Sequence, residues 1–261
     1  MLRAAPAIHG SRGTCPSMGI DDGSGVEAPR ETEVLPHDGQ GMFRIKICGV
    51  TRPEDAAHAV ACGAEAIGIN FFPGSPRFVA ADRAREIVEA VADRAEVVGV
   101  FVNEAPETIL ALCGRLGIRR VQLHGDEPPG DAARVPLWRM RAVHADRAPD
   151  LPALLAYPCE AFLFDAGGKG AYGGTGRELA WGELAARFPG IAGGRGAGGA
   201  RKPWLLAGGL TPSNVERAIL EARPFGVDVA SGVESSPGRK DPDKVETFIE
   251  RAKAGFRSAE A

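Results

Sequence analysis

The sequence predicts an α/β protein in which eight parallel strands close into a (β/α)8 barrel of the TIM type. Short apolar runs rich in strand-forming residues alternate with helix-compatible segments from Phe43 onward, and there are eight such runs. Strands that alternate with helices pair in parallel through crossover connections. A length of 261 residues is ordinary for one barrel. A doubly wound open sheet shows the same alternation, so the strand count alone leaves that alternative open.

The predicted elements follow one another regularly along the chain. The strand-like runs read FRIKIC, AIGINFF, VVGVFV, RRVQL, LWRMRAV, AFLFD, WLLAGG and FGVDVAS. Helical patterns follow the first three runs at Pro53–Cys62, Ala81–Val91 and Pro106–Leu116. Thr51, shortly before Pro53, and Thr211, directly before Pro212, are predicted N-caps, because threonine caps helices and proline favours the first helical position.

Two segments are predicted to lie outside the regular barrel. Residues 1–41 are rich in Gly, Pro, Ser and acids and show neither helical nor strand periodicity, so we expect a disordered N-terminal extension. Residues 42–261 then form a single barrel domain. The glycine-rich stretch 190–202 predicts a flexible loop insertion between the sixth helix and the seventh strand, on the face away from the chemistry.

Composition and charge exclude several classes of function. The formal net charge is −3, and 1–41 carries all of it, so no basic surface indicates a nucleic-acid partner. The five cysteines are scattered and form no CxxC pair, which argues against a disulfide framework and a structural zinc site and favours the reducing cytoplasm. No apolar run approaches the ~20 residues that cross a bilayer, so we expect no membrane association.

Polar residues at the ends of the predicted strands are the candidates for catalysis, because β/α barrels place their active sites there. Cys48 ends the first strand and is either a small buried residue or a thiol that faces the mouth, where its thiolate would be a base or a nucleophile. Asp165 ends the sixth strand and either caps the next loop or faces substrate as a general acid.

Three further polar residues are candidates for contacts with substrate. Arg77 in the SPR segment is either a solvated loop arginine or a clamp for a carboxylate, which its planar fork matches. His124 in QLHG holds a loop or contacts substrate. Asp228 in the eighth strand points to the barrel floor or to substrate hydroxyl groups.

Glycines near the ends of the last three strands predict a phosphate site. A single glycine pair is more often a turn device, but glycine lets backbone N–H groups approach an anion, and barrels often bind phosphate after strands seven and eight. The candidates are Gly173, Gly174, Gly176, Gly208, Gly209, Ser231 and Gly232.

The sequence contains an ordered series of motifs, which are KICGVT, FFPGSPR, GVFVNE, QLHGDE, LFDA, GGTG, LLAGGLTPSNV and PFGVDVASGVESSPGRKD. Together they resemble the phosphoribosylanthranilate isomerase family of tryptophan biosynthesis, and the resemblance covers Phe43 to Ala254. The tail and the glycine-rich insertion are not family features. The motifs follow the order of the predicted strands, with LFDA and GGTG together at the sixth, which makes the resemblance specific.

The resemblance implies a cofactor-free, metal-free aldose–ketose isomerase. Its members convert N-(5-phosphoribosyl)anthranilate into 1-(2-carboxyphenylamino)-1-deoxyribulose 5-phosphate by an Amadori rearrangement. Cys48 would then be the general base and Asp165 the general acid. Arg77 would bind the anthranilate carboxylate and the glycines the phosphate. The partner would be this small phosphosugar, and the chain would be a monomer or a homodimer.

Other functions remain possible from the residues alone. Lys46 alternates onto the same strand face as Cys48, so an aldolase-like barrel with a Schiff-base lysine is one alternative. A lyase or synthase on a related phosphate-binding barrel is a second, and an isomerase that also accepts the histidine-pathway aminoaldose is a third. A phosphosugar-binding barrel without catalysis would keep the glycines but would not need Cys48 or Asp165.

Overall fold

A closed parallel barrel forms the centre of the chain. The structure, a computed structural model, describes residues 41–144, 148–165, 181–182 and 202–261. Each barrel strand pairs in parallel with the next, and the eighth pairs with the first, which confirms the predicted barrel and excludes the open sheet. The strands are β1 (Ile45–Ile47), β2 (Ala66–Asn70), β3 (Glu96–Phe101), β4 (Arg120–Leu123), β5 (Trp138–His144), β6 (Ala161–Asp165), β7 (Trp204–Leu206) and β8 (Gly226–Val229).

Helices follow the strands, and the first three have the bounds that the sequence predicts. In the described ranges they are α1 (Pro53–Cys62), α2 (Ala81–Val91), α3 (Pro106–Leu116), α4 (Pro129–Ala133), α5 (Leu151–Ala156), α6 (Val215–Ala222) and α7 (Pro242–Glu260). The predicted N-terminal extension lies outside the described residues except for Gly41, and the predicted 190–202 insertion lies outside them except for Lys202.

Both predicted threonine caps are wrong. The N-cap position of α1 is occupied by Arg52, whose side chain makes no capping hydrogen bond. Thr51 lies one residue earlier, and its hydroxyl donates to the carbonyl of Gly238 at 2.5 Å instead of capping the helix. The helix after β7 begins at Val215 and not at Pro212. Thr211 lies in the turn before it, where the Asn214 side chain accepts the Thr211 N–H at 2.8 Å. Thr51 therefore binds a distant loop and Thr211 belongs to a turn, so neither threonine caps a helix.

Alternation along the strands separates two apolar layers. Successive side chains of a strand point to opposite faces of the sheet. Ile45 and Ile47 of β1 belong to the large core between the sheet and the helices. A second cluster, including Ala66, Val98, Met140, Leu163 and Leu205, fills the inside of the barrel. Towards the carboxyl ends of the strands the inward positions become polar, so the barrel has an apolar interior and a polar mouth.

A short helix and a hairpin follow the last barrel strand. Ser231–Val233 forms a 3-10 helix, after which β9 (Glu234–Ser236) pairs antiparallel with β10 (Arg239–Lys240). The hairpin comes before α7, whose N-terminus is capped by Asp241 through an acceptor contact with the Lys244 N–H at 3.2 Å. The hairpin therefore brings charged residues from the end of the chain to the mouth of the barrel.

We predict that Gly226→Ala destabilises the barrel at its closing seam. A Cβ atom at Gly226 would lie 2.8 Å from the carbonyl oxygens of both Phe43 and Arg44, which are backbone atoms of the neighbouring strand segment. Overpacking of this kind costs about 1–3 kcal/mol, which urea unfolding would measure. Gly114→Ala in α3 is the matched control, since nothing lies within 4 Å of its Cβ position. Equal free energies of unfolding for Gly226→Ala and the wild type would contradict the prediction and show that the backbone of Phe43 and Arg44 shifts at little cost.

Candidate active site

The mouth of the barrel holds a cavity that collects the predicted polar residues. The cavity has a volume of ≈ 490 Å³, within the usual range for small-molecule sites. Its lining comes from the carboxyl ends of several strands and from the loops after β2 and β8. Among the lining residues are Cys48, Arg77, His124, Asp165, Asp228, Gly208, Gly209, Ser231 and Gly232.

A larger cavity of ≈ 1000 Å³ lies at the opposite ends of the strands. It is lined by the first residues of β3, β4 and β5, which are Glu96, Arg120 and Trp138. The Arg120 guanidinium is already bound there, 2.7 Å from Glu96 and 4.9 Å from the Trp138 ring centre. Barrels catalyse at the carboxyl ends of their strands, so the mouth is the candidate active site.

Cys48 lies directly after β1 with its thiol in the mouth. Its backbone N–H donates to the carbonyl of Val229 at 2.8 Å, which fixes the end of β1 against β8. The residue is 9% exposed and lines the cavity. Burial and the nearby Asp228 carboxylate raise the pKa of Cys48, whereas the charge of Lys46 and its hydrogen bond lower it. The thiol therefore ionises less readily than a free cysteine, and Lys46 opposes this effect.

Lys46 is fully buried inside the barrel and forms an ion pair. Its Nζ lies 2.7 Å from Oδ1 of Asp228 and 3.0 Å from Oε1 of Gln122, and its exposure is 0%. Burial lowers the pKa of Lys46, but Asp228 and Cys48 raise it by more, so the amine stays protonated. A Schiff-base lysine must be neutral to attack a carbonyl, and this geometry argues against the aldolase-like alternative.

A chain of polar contacts crosses the barrel from Lys46 to Asp165. Lys46 can only donate, so Gln122 accepts through its oxygen and turns its NH₂ group towards Nδ1 of His124, 2.5 Å away. Because an amide nitrogen only donates, Nδ1 must accept and the neutral imidazole carries its proton on Nε2. This Nε2 lies 3.6 Å from Oδ2 of Asp165, longer than a hydrogen bond. The contacts orient His124 towards the predicted acid.

Asp165 ends β6 and faces the cavity. It is 5% exposed, and its strand neighbour in the barrel register is His144 of β5. Asp228 is 7% exposed and lies beside Lys46 in the β1–β8 register. The Asp228 carboxylate binds the Lys46 ammonium group inside the barrel. Of the two predicted positions for Asp228, the barrel floor describes this contact better than a position that faces only the substrate.

Arg77 lies over the mouth and is bound to a glutamate of the hairpin. Its Nε and NH2 donate to the two oxygens of Glu234, both at 2.8 Å, and Nζ of Lys240 lies 3.0 Å from the same carboxylate. Although burial raises the pKa of Glu234, the hydrogen bonds and charges of Arg77 and Lys240 lower it overall. Two of the five guanidinium N–H donors are used in this contact, and the remaining donors, which have no side-chain partner in the part of the chain that the structure describes, could bind a further anion.

The loops after β7 and β8 touch each other at the rim. Gly208 and Gly209 have φ values of 84° and 69°, which favour glycine. A Cβ atom at Gly232 would lie 1.8 Å from the carbonyl oxygen of Leu210, so this close approach of two backbones requires glycine. The two loops therefore lie side by side at the rim, and phosphate binding there stays a prediction. The other predicted phosphate residues, Gly173, Gly174 and Gly176, lie outside the described residues.

The remaining cysteines of the described ranges lie away from the mouth. Cys62, Cys113 and Cys159 are free thiols, and burial raises the pKa of Cys113 to about 12 and that of Cys159 to about 11. Cys113 and Cys159 are buried in the apolar core, and Cys62 is half-buried against it. Among the described residues, no helix combines the length and apolar character that crossing a bilayer requires.

Comparisons with known proteins assign the family. The family model of N-(5'phosphoribosyl)anthranilate (PRA) isomerase matches residues 45–251. The chain belongs to this family. It is 42% identical over 212 residues to the N-(5'-phosphoribosyl)anthranilate isomerase of Trichlorobacter lovleyi, an alignment that covers 81% of this chain and 98% of that protein. The family expected from the motifs, and with it an enzyme, is confirmed.

Solved structures of the family share the fold. The phosphoribosyl anthranilate isomerase of Thermus thermophilus superposes with a TM-score of 0.70 at 35% identity, over 81% of this chain and 99% of that chain. A second family structure, in complex with reduced 1-(o-carboxyphenylamino)-1-deoxyribulose 5-phosphate, gives a TM-score of 0.68 at 34% identity, over 82% and 100% of the chains.

Sequence reasoning missed three residues of the mouth. Gln122 of β4 and the hairpin residues Glu234 and Lys240 were not among the predicted site residues. The signal for Gln122 was available, because it alternates onto the same strand face as His124 and is polar within an apolar strand. Nothing in the sequence joins Glu234 to Arg77, which is 157 positions away.

Proposed function

We propose that this chain isomerises N-(5'-phosphoribosyl)anthranilate to 1-(2-carboxyphenylamino)-1-deoxyribulose 5-phosphate in tryptophan biosynthesis, with Cys48 as general base and Asp165 as general acid. The observation that carries the residue roles is that both side chains face one cavity from β1 and β6. The family assignment supports the reaction, and the chain spans 98% of a curated relative. A small phosphosugar is the substrate class.

The two groups suffice for the rearrangement. Asp165 gives its proton to the furanose ring oxygen as the C1–O bond breaks, and the nitrogen lone pair forms a C1=N iminium group. Cys48 as thiolate removes the C2 proton, and that electron pair forms C1=C2 while the iminium electrons return to nitrogen. The resulting enolamine loses its C2 hydroxyl proton and gains one at C1 to give the ketone. Electrons move only within the substrate, so acid and base catalysis carries the reaction.

The substrate carries two anionic groups, and the cavity lining offers a candidate partner for each. Arg77 would bind the anthranilate carboxylate with the donors that Glu234 does not use. The backbone around Gly208, Gly209, Ser231 and Gly232 would bind the phosphate at the rim. His124 and Asp228 also line the cavity and would orient the sugar. We further propose that the protein acts in the cytoplasm, in keeping with the four free cysteines of the described residues, and that it is a monomer or a homodimer.

The purified protein is expected to consume N-(5'-phosphoribosyl)anthranilate without any added cofactor. The reaction is followed by the loss of anthranilate fluorescence as the substrate rearranges, in buffer containing a chelator. Persistence of the fluorescence with folded protein would overturn the activity. The same assay with the histidine-pathway aminoaldose, read by its own absorbance change, determines whether the site accepts a second substrate.

Cys48→Ser and Asp165→Asn are each expected to lower kcat by about 10²- to 10⁴-fold, the usual contribution of general acid–base catalysis. A serine hydroxyl is a far weaker acid than a thiol, and asparagine has no proton of suitable acidity for the ring oxygen. Cys62→Ser on α1 is the matched control and should keep wild-type turnover, because this half-buried thiol lies outside the mouth. Near wild-type kcat in Cys48→Ser, with host enzyme excluded, would remove Cys48 from the mechanism.

Arg77→Ala is expected to raise KM more than it lowers kcat, because a carboxylate contact present in the ground state is lost. Arg77→Lys keeps the charge but loses the planar fork, so its KM should lie between those of the wild type and Arg77→Ala. Arg85→Ala on α2 is the control for loss of an exposed arginine. An unchanged KM together with weaker inhibition by inorganic phosphate would make Arg77 a phosphate ligand instead.

A further inference from the structure

Lys46 is a buried charged residue to which the acid and base roles assign no task. Lysine is almost never fully buried unless it is paired, and a buried ion pair is often no more stabilising than apolar side chains of the same volume. Its ammonium group is nevertheless held by two partners, Asp228 at 2.7 Å and Gln122 at 3.0 Å. Stability alone therefore does not account for a lysine at this position.

Cys48 and Lys46 share one small space in the barrel. The two residues are separated by one position, so both side chains project from the inner face of the same strand end. Across from them on β2 lies Gly68. A Cβ atom at Gly68 would be 2.7 Å from the Cys48 sulfur and 3.0 Å from the Lys46 nitrogen. The missing side chain at Gly68 thus leaves the room in which the thiol and the ammonium group lie together.

We propose that Lys46 is a positioning residue for the base, whose ammonium group stabilises Cys48 as a thiolate in the mouth while Asp228 and Gln122 hold the ammonium group in place. The inference rests on the proposed function, in which Cys48 is the base. A cation within about 4–6 Å favours the ionised form of a neighbouring acid. Asp228 and Gln122, at 2.7 and 3.0 Å from the Lys46 nitrogen, would hold this cation beside the sulfur.

Other charges also face Cys48, and their balance supports the role of Lys46. Burial and Asp228 raise the pKa of Cys48, whereas Lys46 lowers it through both charge and hydrogen bonding, and Lys240 of β10 lowers it by charge. Arg77 is the remaining cation near the thiol. Both Arg77 and Lys240 are bound to the carboxylate of Glu234, which offsets their charge. Lys46 is therefore the cation best placed to act on the sulfur.

The test measures thiolate formation at Cys48 in the free enzyme. Alkylation by iodoacetamide requires the thiolate, and peptide mass spectrometry reports Cys48 separately from the other cysteines. Lys46→Met keeps nearly the same side-chain length but removes the charge. At pH 8 it should slow alkylation of Cys48 by about tenfold or more, which corresponds to a rise of at least about one pH unit in the midpoint of Cys48 ionisation. Lys46→Arg should retain most of the wild-type rate. Lys253→Met, on α7 away from the mouth, is the matched control and should change nothing.

A second measurement keeps the inference testable if Lys46→Met does not fold, since that variant leaves Asp228 buried without its cation. In wild-type protein with ¹³Cε-labelled lysine, the Lys46 signal is identified by its absence in Lys46→Arg. Its chemical shift should change with pH at the midpoint of Cys48 ionisation, and this change should be absent in Cys48→Ser. A Lys46 signal that ignores Cys48 ionisation would overturn the inference.

These results are separable from those of the proposed function. An unchanged alkylation rate in folded Lys46→Met overturns the role of Lys46 even if Cys48→Ser is inactive. Full turnover by Cys48→Ser overturns the base role even if Lys46→Met slows alkylation. Agreement of both, with the acid limb of the kcat/KM profile displaced to higher pH in Lys46→Met, supports the two together.

Discussion

The pairing of β8 with β1 is the contact on which the rest of the molecule depends. It closes the barrel, and its register puts Lys46 beside Asp228 on the inner face, where they form an ion pair. Loss of one partner would leave a buried charge, a change that costs about 3–5 kcal/mol in typical proteins. The pairing of β8 with β1 also fixes Cys48, because its backbone N–H donates to the carbonyl of Val229. The position of the proposed base therefore depends on closure of the barrel.

The mouth balances two opposing demands on Cys48. Burial protects the thiol from bulk water and raises its pKa, which makes its thiolate a stronger base but a rarer species. Lys46 offsets part of this effect without itself becoming neutral, because Asp228 keeps it protonated. On the other side of the mouth, Gln122 orients His124 towards Asp165. The two proposed catalytic groups are therefore supported by one continuous set of polar side chains.

Most of the fold could be predicted from the sequence because its determinants are local. The alternation of apolar runs with helical patterns gave eight strands, and the first three helices have the predicted bounds. Cys48, His124, Asp165 and Asp228 were found because a strand end in a parallel barrel must face the mouth. The helix caps were wrong, since Thr51 binds the carbonyl of Gly238, a residue 187 positions away, and local capping rules contain no such partner.

The sequence by itself determined the family and the alternation of strands with helices, and it predicted which polar residues stand at the strand ends, because periodicity and motif order depend only on neighbouring residues. The tertiary structure alone decided how those ends are paired. It joined Arg77 to Glu234, and it turned Lys46 from a possible nucleophile into the cation of a buried ion pair. Such pairings arise when closure of the barrel brings distant segments within about 3 Å, a distance that spacing along the chain does not encode.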